Sequence, residues 1–205
     1  MRLSIPPLFR MMAVAVVALA LAGCATQPRL ASVQRHETSE ATFLGIPDAR
    51  FSLTGNSELL AEMFLAAERR RQMARITGTE HMLAISGGGE NGAFGAGLLY
   101  GWTERGDRPQ FRLVTGVSTG ALTAPFAFLG SRYDEQLKAV YTTVQRDNIA
   151  QLLPILTILR SDSAADSGPL ARLIATYITP EMVAEIGREY QKGRLLLIGT
   201  TNLDL

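Results

Sequence analysis

Two glycine-rich turns, each fed by a short apolar run, constrain this chain more than any other feature. His81 to Ser86 runs into Gly87-Gly88-Gly89-Glu90-Asn91-Gly92, and Phe111 to Thr115 runs into Gly116-Val117-Ser118-Thr119-Gly120. Short apolar runs bounded by glycines read as buried strands. The stretch after each turn reads as a helix, the first continuing to about Glu104 before Gly106 stops it, the second running through Leu129 with Pro125 inside it, to kink it or mark its first turns. Two strands joined by one helix form a βαβ unit, and that crossover implies parallel pairing. Arg194 to Thr200 adds a third strand. The expected fold class is α/β, a mainly parallel sheet flanked by helices on both faces.

The other elements follow from pattern. Ser57 to about Arg75 reads as a helix, capped by Asn56, with Leu59, Leu60, Met63, Phe64 and Ala67 as its apolar stripe. Arg69, Arg70, Arg71 and Arg75 gather at its end, where cations suit the helix dipole; a solvated helix end is the favoured reading over contact with anionic lipid. Tyr133–Val144, Leu170–Ile178 and Pro180–Gln191 are expected helices, the last capped by Thr179. Ile149–Leu159 is apolar around Pro154, and Ser161–Pro169 is a polar loop.

The front of the chain has a different character. Arg2 and Arg10 precede an unbroken apolar run from Met11 to Ala22, which as a helix would cover about 18 Å, short of a bilayer core of about 30 Å. It reads as an export signal. The run ends in Leu21-Ala22-Gly23-Cys24, which resembles the lipobox of bacterial lipoproteins. That resemblance implies a signal peptide over residues 1–23, lipidation of the Cys24 thiol, and a membrane anchor at Cys24. Ala25 in the next position implies the outer membrane. Residues 24–55, polar and broken by Pro28, Gly45, Pro47 and Gly55, read as a tether, and residues 56–205 as the folded part. Cys24 is the sole cysteine, so no intrachain disulfide forms, and a net charge of +1 gives nucleic-acid binding no support.

The chemistry lies in the turns. In Gly116-Val117-Ser118-Thr119-Gly120 the G-x-S-x-G pattern sits between strand and helix, where a sharp elbow lifts a serine hydroxyl above the strand edge; Ser118 is the candidate nucleophile, and Gly116 and Gly120 permit the tight backbone. The helix that follows aims its amides at the place where negative charge develops. Parallel strands put Gly87, Gly88, Gly89 and Gly92 on the same edge, and their uncovered N–H groups are candidates for an oxyanion hole. The loop also satisfies G-x-G-x-x-G, the dinucleotide fingerprint, but that fingerprint needs an acid at the end of the second strand, which here ends Leu113-Val114-Thr115. No cofactor is implied, and no His, Cys, Asp and Glu cluster has metal-ligand spacing. His36 and His81 read as structural or solvated.

Together these motifs resemble the patatin-like phospholipases, in which a G-G-G-x-x-G loop and a G-x-S-x-G elbow end consecutive strands. The resemblance, over about Met82 to Leu205, implies a three-layer α/β/α fold, a lipid acyl ester as substrate, and a Ser–Asp dyad whose aspartate stands in an Asp-Gly-Gly or Asp-Gly-Ala motif. Asn91 stands where many members carry Arg or Lys. Asp107, Asp134, Asp147, Asp162, Asp166 and Asp204 follow the loop and none precedes a glycine. The expectation is a dyad aspartate beyond Leu205, with these 205 residues alone nearly inactive for want of a base. The alternative is an inactive lipoprotein with a binding or structural role. An α/β-hydrolase would need an acid and a histidine after the serine, and no histidine follows Ser118. Phe126, Phe128 and Leu152–Leu159 could line an acyl groove, but core packing is the favoured reading.

Overall fold

The computed structural model describes residues 12, 16, 51, 57–143, 151–152, 165–166 and 168–201. Cys24, His36, Asp147, Asp162 and Asp204 lie outside them, as do almost all of the expected signal and tether and residues 153–159. Elements run in the order α1 (Ser57–Met73), β1 (His81–Ile85), a 3₁₀ turn (Gly89–Asn91), α2 (Gly92–Arg105), β2 (Phe111–Val117), α3 (Thr119–Leu129), a second 3₁₀ turn (Ser131–Tyr133), α4 (Asp134–Thr143), β3 (Gln151–Leu152), β4 (Ala165–Asp166), α5 (Gly168–Tyr177), α6 (Pro180–Gln191) and β5 (Leu195–Gly199). The chain divides into two compact units, one of residues 32–145 and 172–205, the other of residues 1–31 and 146–171. In the smaller unit β3 and β4 pair antiparallel, Gln151 opposite Asp166 and Leu152 opposite Ala165. None of the described helices is long and apolar enough to cross a membrane.

In the larger unit three parallel strands flanked by helices give an α/β fold, with β2 between β1 and β5. Ile85 of β1 stands beside Gly116 of β2, which stands beside Ile198 of β5. The C-terminal ends of all three strands therefore finish at one rim. Helix α3 lies against β2 and reaches both neighbours, because its residues are apolar over nearly the whole circumference: Ala124, Phe126, Ala127, Phe128 and Leu129 are all buried. Val114, Leu137 and Met182 complete this core, with Leu83, Ile85 and Leu196 packed on it. Phe126 and Phe128 are each 1% exposed, so they are core residues, not the walls of a groove. Pro125 is buried well past the first turn of α3, and the helix runs on to Leu129.

Buried charges tie the elements at the end of the sheet away from that rim. Arg194, just before β5, donates from Nε to the Phe111 carbonyl at 2.8 Å, from one terminal nitrogen to the Phe128 carbonyl, and from the other to Glu189 of α6 at 2.8 Å. One guanidinium thus joins β5, β2, α3 and α6. Arg108 does similar work before β2, pairing with Asp134 at 2.7 Å and with Thr103 at 3.1 Å. In α1, Arg71 pairs with Glu80, and Arg70 donates to the Tyr190 carbonyl while lying over the Tyr190 ring; Arg69 is exposed. Half of that arginine cluster is therefore spent on internal contacts.

Candidate active site

β2 runs two residues further than the apolar run predicts, through Gly116 and Val117, because the ladder to β1 and β5 continues to its end. The whole change of direction from strand to helix then falls on Ser118, at φ 52° and ψ −126°. A left-handed φ at a residue with a side chain costs about 1–3 kcal/mol and persists only where its surroundings enforce it. Two glycines enforce it here. A Cβ on Gly116 would overlap the carbonyl of Gly120, and one on Gly120 would overlap the carbonyl of Ile85 and lie 2.7 Å from that of Ser86. Strand β2, the end of β1 and the first turn of α3 are thus in backbone contact, a closeness no side chain would allow. Ser118 is exposed, while Thr119 and Gly120 behind it are buried.

The glycine loop closes on the serine from β1. A Cβ on Gly87 would come within 2.9 Å of the Ser118 Cβ and 3.5 Å of its hydroxyl oxygen. Gly89, at φ 55°, turns the chain into the 3₁₀ turn, where the Asn91 amide donates to the Gly88 carbonyl at 3.0 Å. Gly87, Gly88 and Gly89 are exposed, and among the described backbone hydrogen bonds outside helices and strands none uses their amides as donors. Gly92 opens α2, and a Cβ there would overlap the Thr119 side chain and lie 3.0 Å from the Tyr141 hydroxyl. So Gly87 and Ser118, Gly92 and Thr119, and Gly116 and Gly120 form three close pairs at one rim. The N-terminus of α3 points at that rim, supplying the positive end of its dipole.

Other candidates fall elsewhere. His81 begins β1 opposite Phe111, roughly 15 Å of strand from the rim. Asp107 sits before β2 and pairs with Arg105 at 2.7 Å; Asp134 follows the far end of α3 and pairs with Arg108. Cys24 lies outside the described residues. Among the described residues no group of three or more His, Cys, Asp and Glu side chains could hold a metal ion.

Sequence reasoning missed the hydroxyls beneath the elbow. Tyr141 of α4 places its Oη 2.9 Å from Thr119 Oγ1, 2.7 Å from Thr123 Oγ1 and 3.1 Å from the Thr119 carbonyl. A signal existed: Thr119 and Thr123 are one helical turn apart on an otherwise apolar helix, and buried hydroxyls so placed need a partner.

A family model described as patatin-like phospholipase matches residues 83–193, more than half of the chain. No curated protein and no solved structure matches it. The matched region holds both glycine turns, the βαβ unit between them and the elbow at Ser118. This chain belongs to the patatin-like phospholipase family.

Proposed function

We propose that the protein is a serine acyl hydrolase of lipid acyl esters in which Ser118 is the nucleophile. The observation that carries this reading is Ser118 itself: exposed, at a left-handed φ, with the glycine loop of the neighbouring strand folded against it. The Ser118 oxygen adds to the ester carbonyl carbon. The carbonyl oxygen takes up the negative charge, and the Gly88 and Gly89 amides, in a loop framed by Gly87 and Gly92, donate to it. Collapse of the adduct expels the alcohol, which takes up the proton that Ser118 gave to its base, and leaves an acyl-serine, which water then hydrolyses to the free acid and Ser118. Losing one such donor typically costs about 10²–10³ in rate.

The proton on Ser118 needs an acceptor, and by the family's pattern that is an aspartate. Asp107 and Asp134, each engaged by an arginine away from the rim, do not fill that role. This observation also favours a second reading, a lipid-anchored protein with a binding or structural role. Hydrolysis of a short-chain p-nitrophenyl ester by the full-length protein, with the dyad aspartate proposed beyond Leu205, and by its Ser118→Ala variant separates them. Faster turnover with Ser118 supports the enzyme, and equal rates end that proposal.

The lipobox resemblance supports a further proposal, an envelope lipoprotein carried on Cys24 in the outer membrane after removal of residues 1–23. Metabolic labelling with palmitate should mark the wild type and not Cys24→Ser; equal labelling would refute it.

A further inference from the structure

We infer that Tyr141 is a positioning residue for the reaction proposed above, its hydroxyl locking the elbow of Ser118 to the glycine loop. The inference rests on that reading of Ser118. A phenol offers one proton and can accept two hydrogen bonds. Tyr141 has three polar neighbours at bonding distance, Thr123 Oγ1 at 2.7 Å, Thr119 Oγ1 at 2.9 Å and the Thr119 carbonyl at 3.1 Å. All are satisfied together when Tyr141 donates to the carbonyl and both threonines donate to Tyr141.

The placement of these contacts matters more than their number. Thr119 follows the strained serine directly and opens α3, so fixing its side chain and its carbonyl fixes the peptide that sets the Ser118 torsions. Thr119 also fills the space beside Gly92, the first residue after the loop's 3₁₀ turn, where a single added carbon would meet both Thr119 and Tyr141. The hydroxyl of Tyr141 therefore touches the start of α3 and lies against the start of α2, the two helices whose first residues end the elbow and the loop. Without it, Thr119 and Thr123 (9% and 1% exposed) would keep buried hydroxyls with one fewer partner, and the serine could relax from its left-handed φ. Displacements of about 1 Å at a reacting atom cost up to about 10²-fold in rate.

The experiment measures the second-order rate at which a fluorophosphonate labels the full-length protein, with the dyad aspartate proposed beyond Leu205, and the thermal midpoint is recorded for each variant. Ser118→Ala comes first: undiminished labelling there, or none in the wild type, refutes the nucleophile and this inference with it. With labelling shown to need Ser118, Tyr141→Phe should slow it by about tenfold or more. The control is Tyr133→Phe, which removes another half-buried tyrosine hydroxyl bonded at 2.6 Å to Glu185, away from the rim; it should label at the wild-type rate with a comparable midpoint. A second pair guards against a misfolded Tyr141→Phe: Thr119→Val should slow labelling, and Thr119→Ser, which keeps the hydroxyl, should restore it. Wild-type labelling rates in Tyr141→Phe or in Thr119→Val would overturn the positioning role while leaving Ser118 as nucleophile.

Discussion

A methyl group on Gly87 would sit 2.9 Å from the Ser118 Cβ, and on Gly120 it would press into the carbonyls of Ile85 and Ser86. The two positions differ in what can give way. Gly87 is exposed in a loop, so Gly87→Ala can move the loop and keep the fold, at the expense of the alignment between donors and serine. Ser118-dependent labelling or hydrolysis should fall by about 10²-fold with little change in melting temperature. Gly120 is clamped between a helix and a strand, where neither backbone yields cheaply, so Gly120→Ala should destabilise the protein by about 1–3 kcal/mol, measured by urea denaturation. If Gly87→Ala leaves reactivity intact, the loop is not where charge is stabilised. Glycines are legible in sequence because backbone contact admits nothing larger, which is why the loop and the elbow stand out from the residue string alone. Tyr141 does not stand out: its partners lie on another helix, and a tyrosine in a helical run looks like any other core residue.

Helix α6 shows the same division at the scale of an element. Its start was readable, with Pro180 in the first turn and the Met182 amide bonded to the Thr179 hydroxyl at 3.3 Å, because a cap is local chemistry. Its expected end at Gln191 is also the observed one; what local pattern does not carry is the tie beyond it, where Glu189 finds Arg194 across a turn and Arg194 finds a carbonyl 83 residues earlier in the chain. The pairing of β3 with β4 was equally hidden, since two-residue strands carry no periodicity. Burial pushes the Glu189 carboxyl up, but hydrogen bonds from Lys192 and Arg194 outweigh it and hold the group below its ordinary value. Burial pulls the Arg194 guanidinium down, and Glu189 opposes this. Glu189→Gln would leave that guanidinium buried without its counter-charge and should cost about 3 kcal/mol near neutral pH. A depressed acid stabilises the fold fully above its unfolded pKa, about 4.3 for glutamate, and loses that contribution as the pH falls through the folded value. Urea titrations at pH 7 and pH 3 should therefore show the gap between wild type and Glu189→Gln narrowing in acid. A gap that stays constant would mean the charge on Glu189 is not what stabilises this end of the sheet.

Across the larger unit, the order of the strands decides how rigidly the elbow is held. The apolar runs and the βαβ crossover indicate parallel strands, yet they do not say which strand lies in the middle, since β1 and β5 are equally apolar on paper. The fold puts β2 there, bonded on both sides and backed by α3, with Val114 fully buried, while Met82 in β1 is 63% exposed and Ile198 in β5 is 44% exposed. Ser118 hangs between the end of β2 and the start of α3, the two elements most enclosed by neighbours. A strained torsion needs such a frame, since a frayed edge strand would let it relax. Amide hydrogen exchange tests the arrangement directly. Leu113 to Gly116 should exchange slowest, at rates approaching those of global unfolding, with Met82 to Ile85 and Leu197 to Gly199 opening sooner. Exchange in β1 slower than in β2 would move the rigid centre away from the serine, and the strain at Ser118 would then have to be held by the contacts beneath α3 alone.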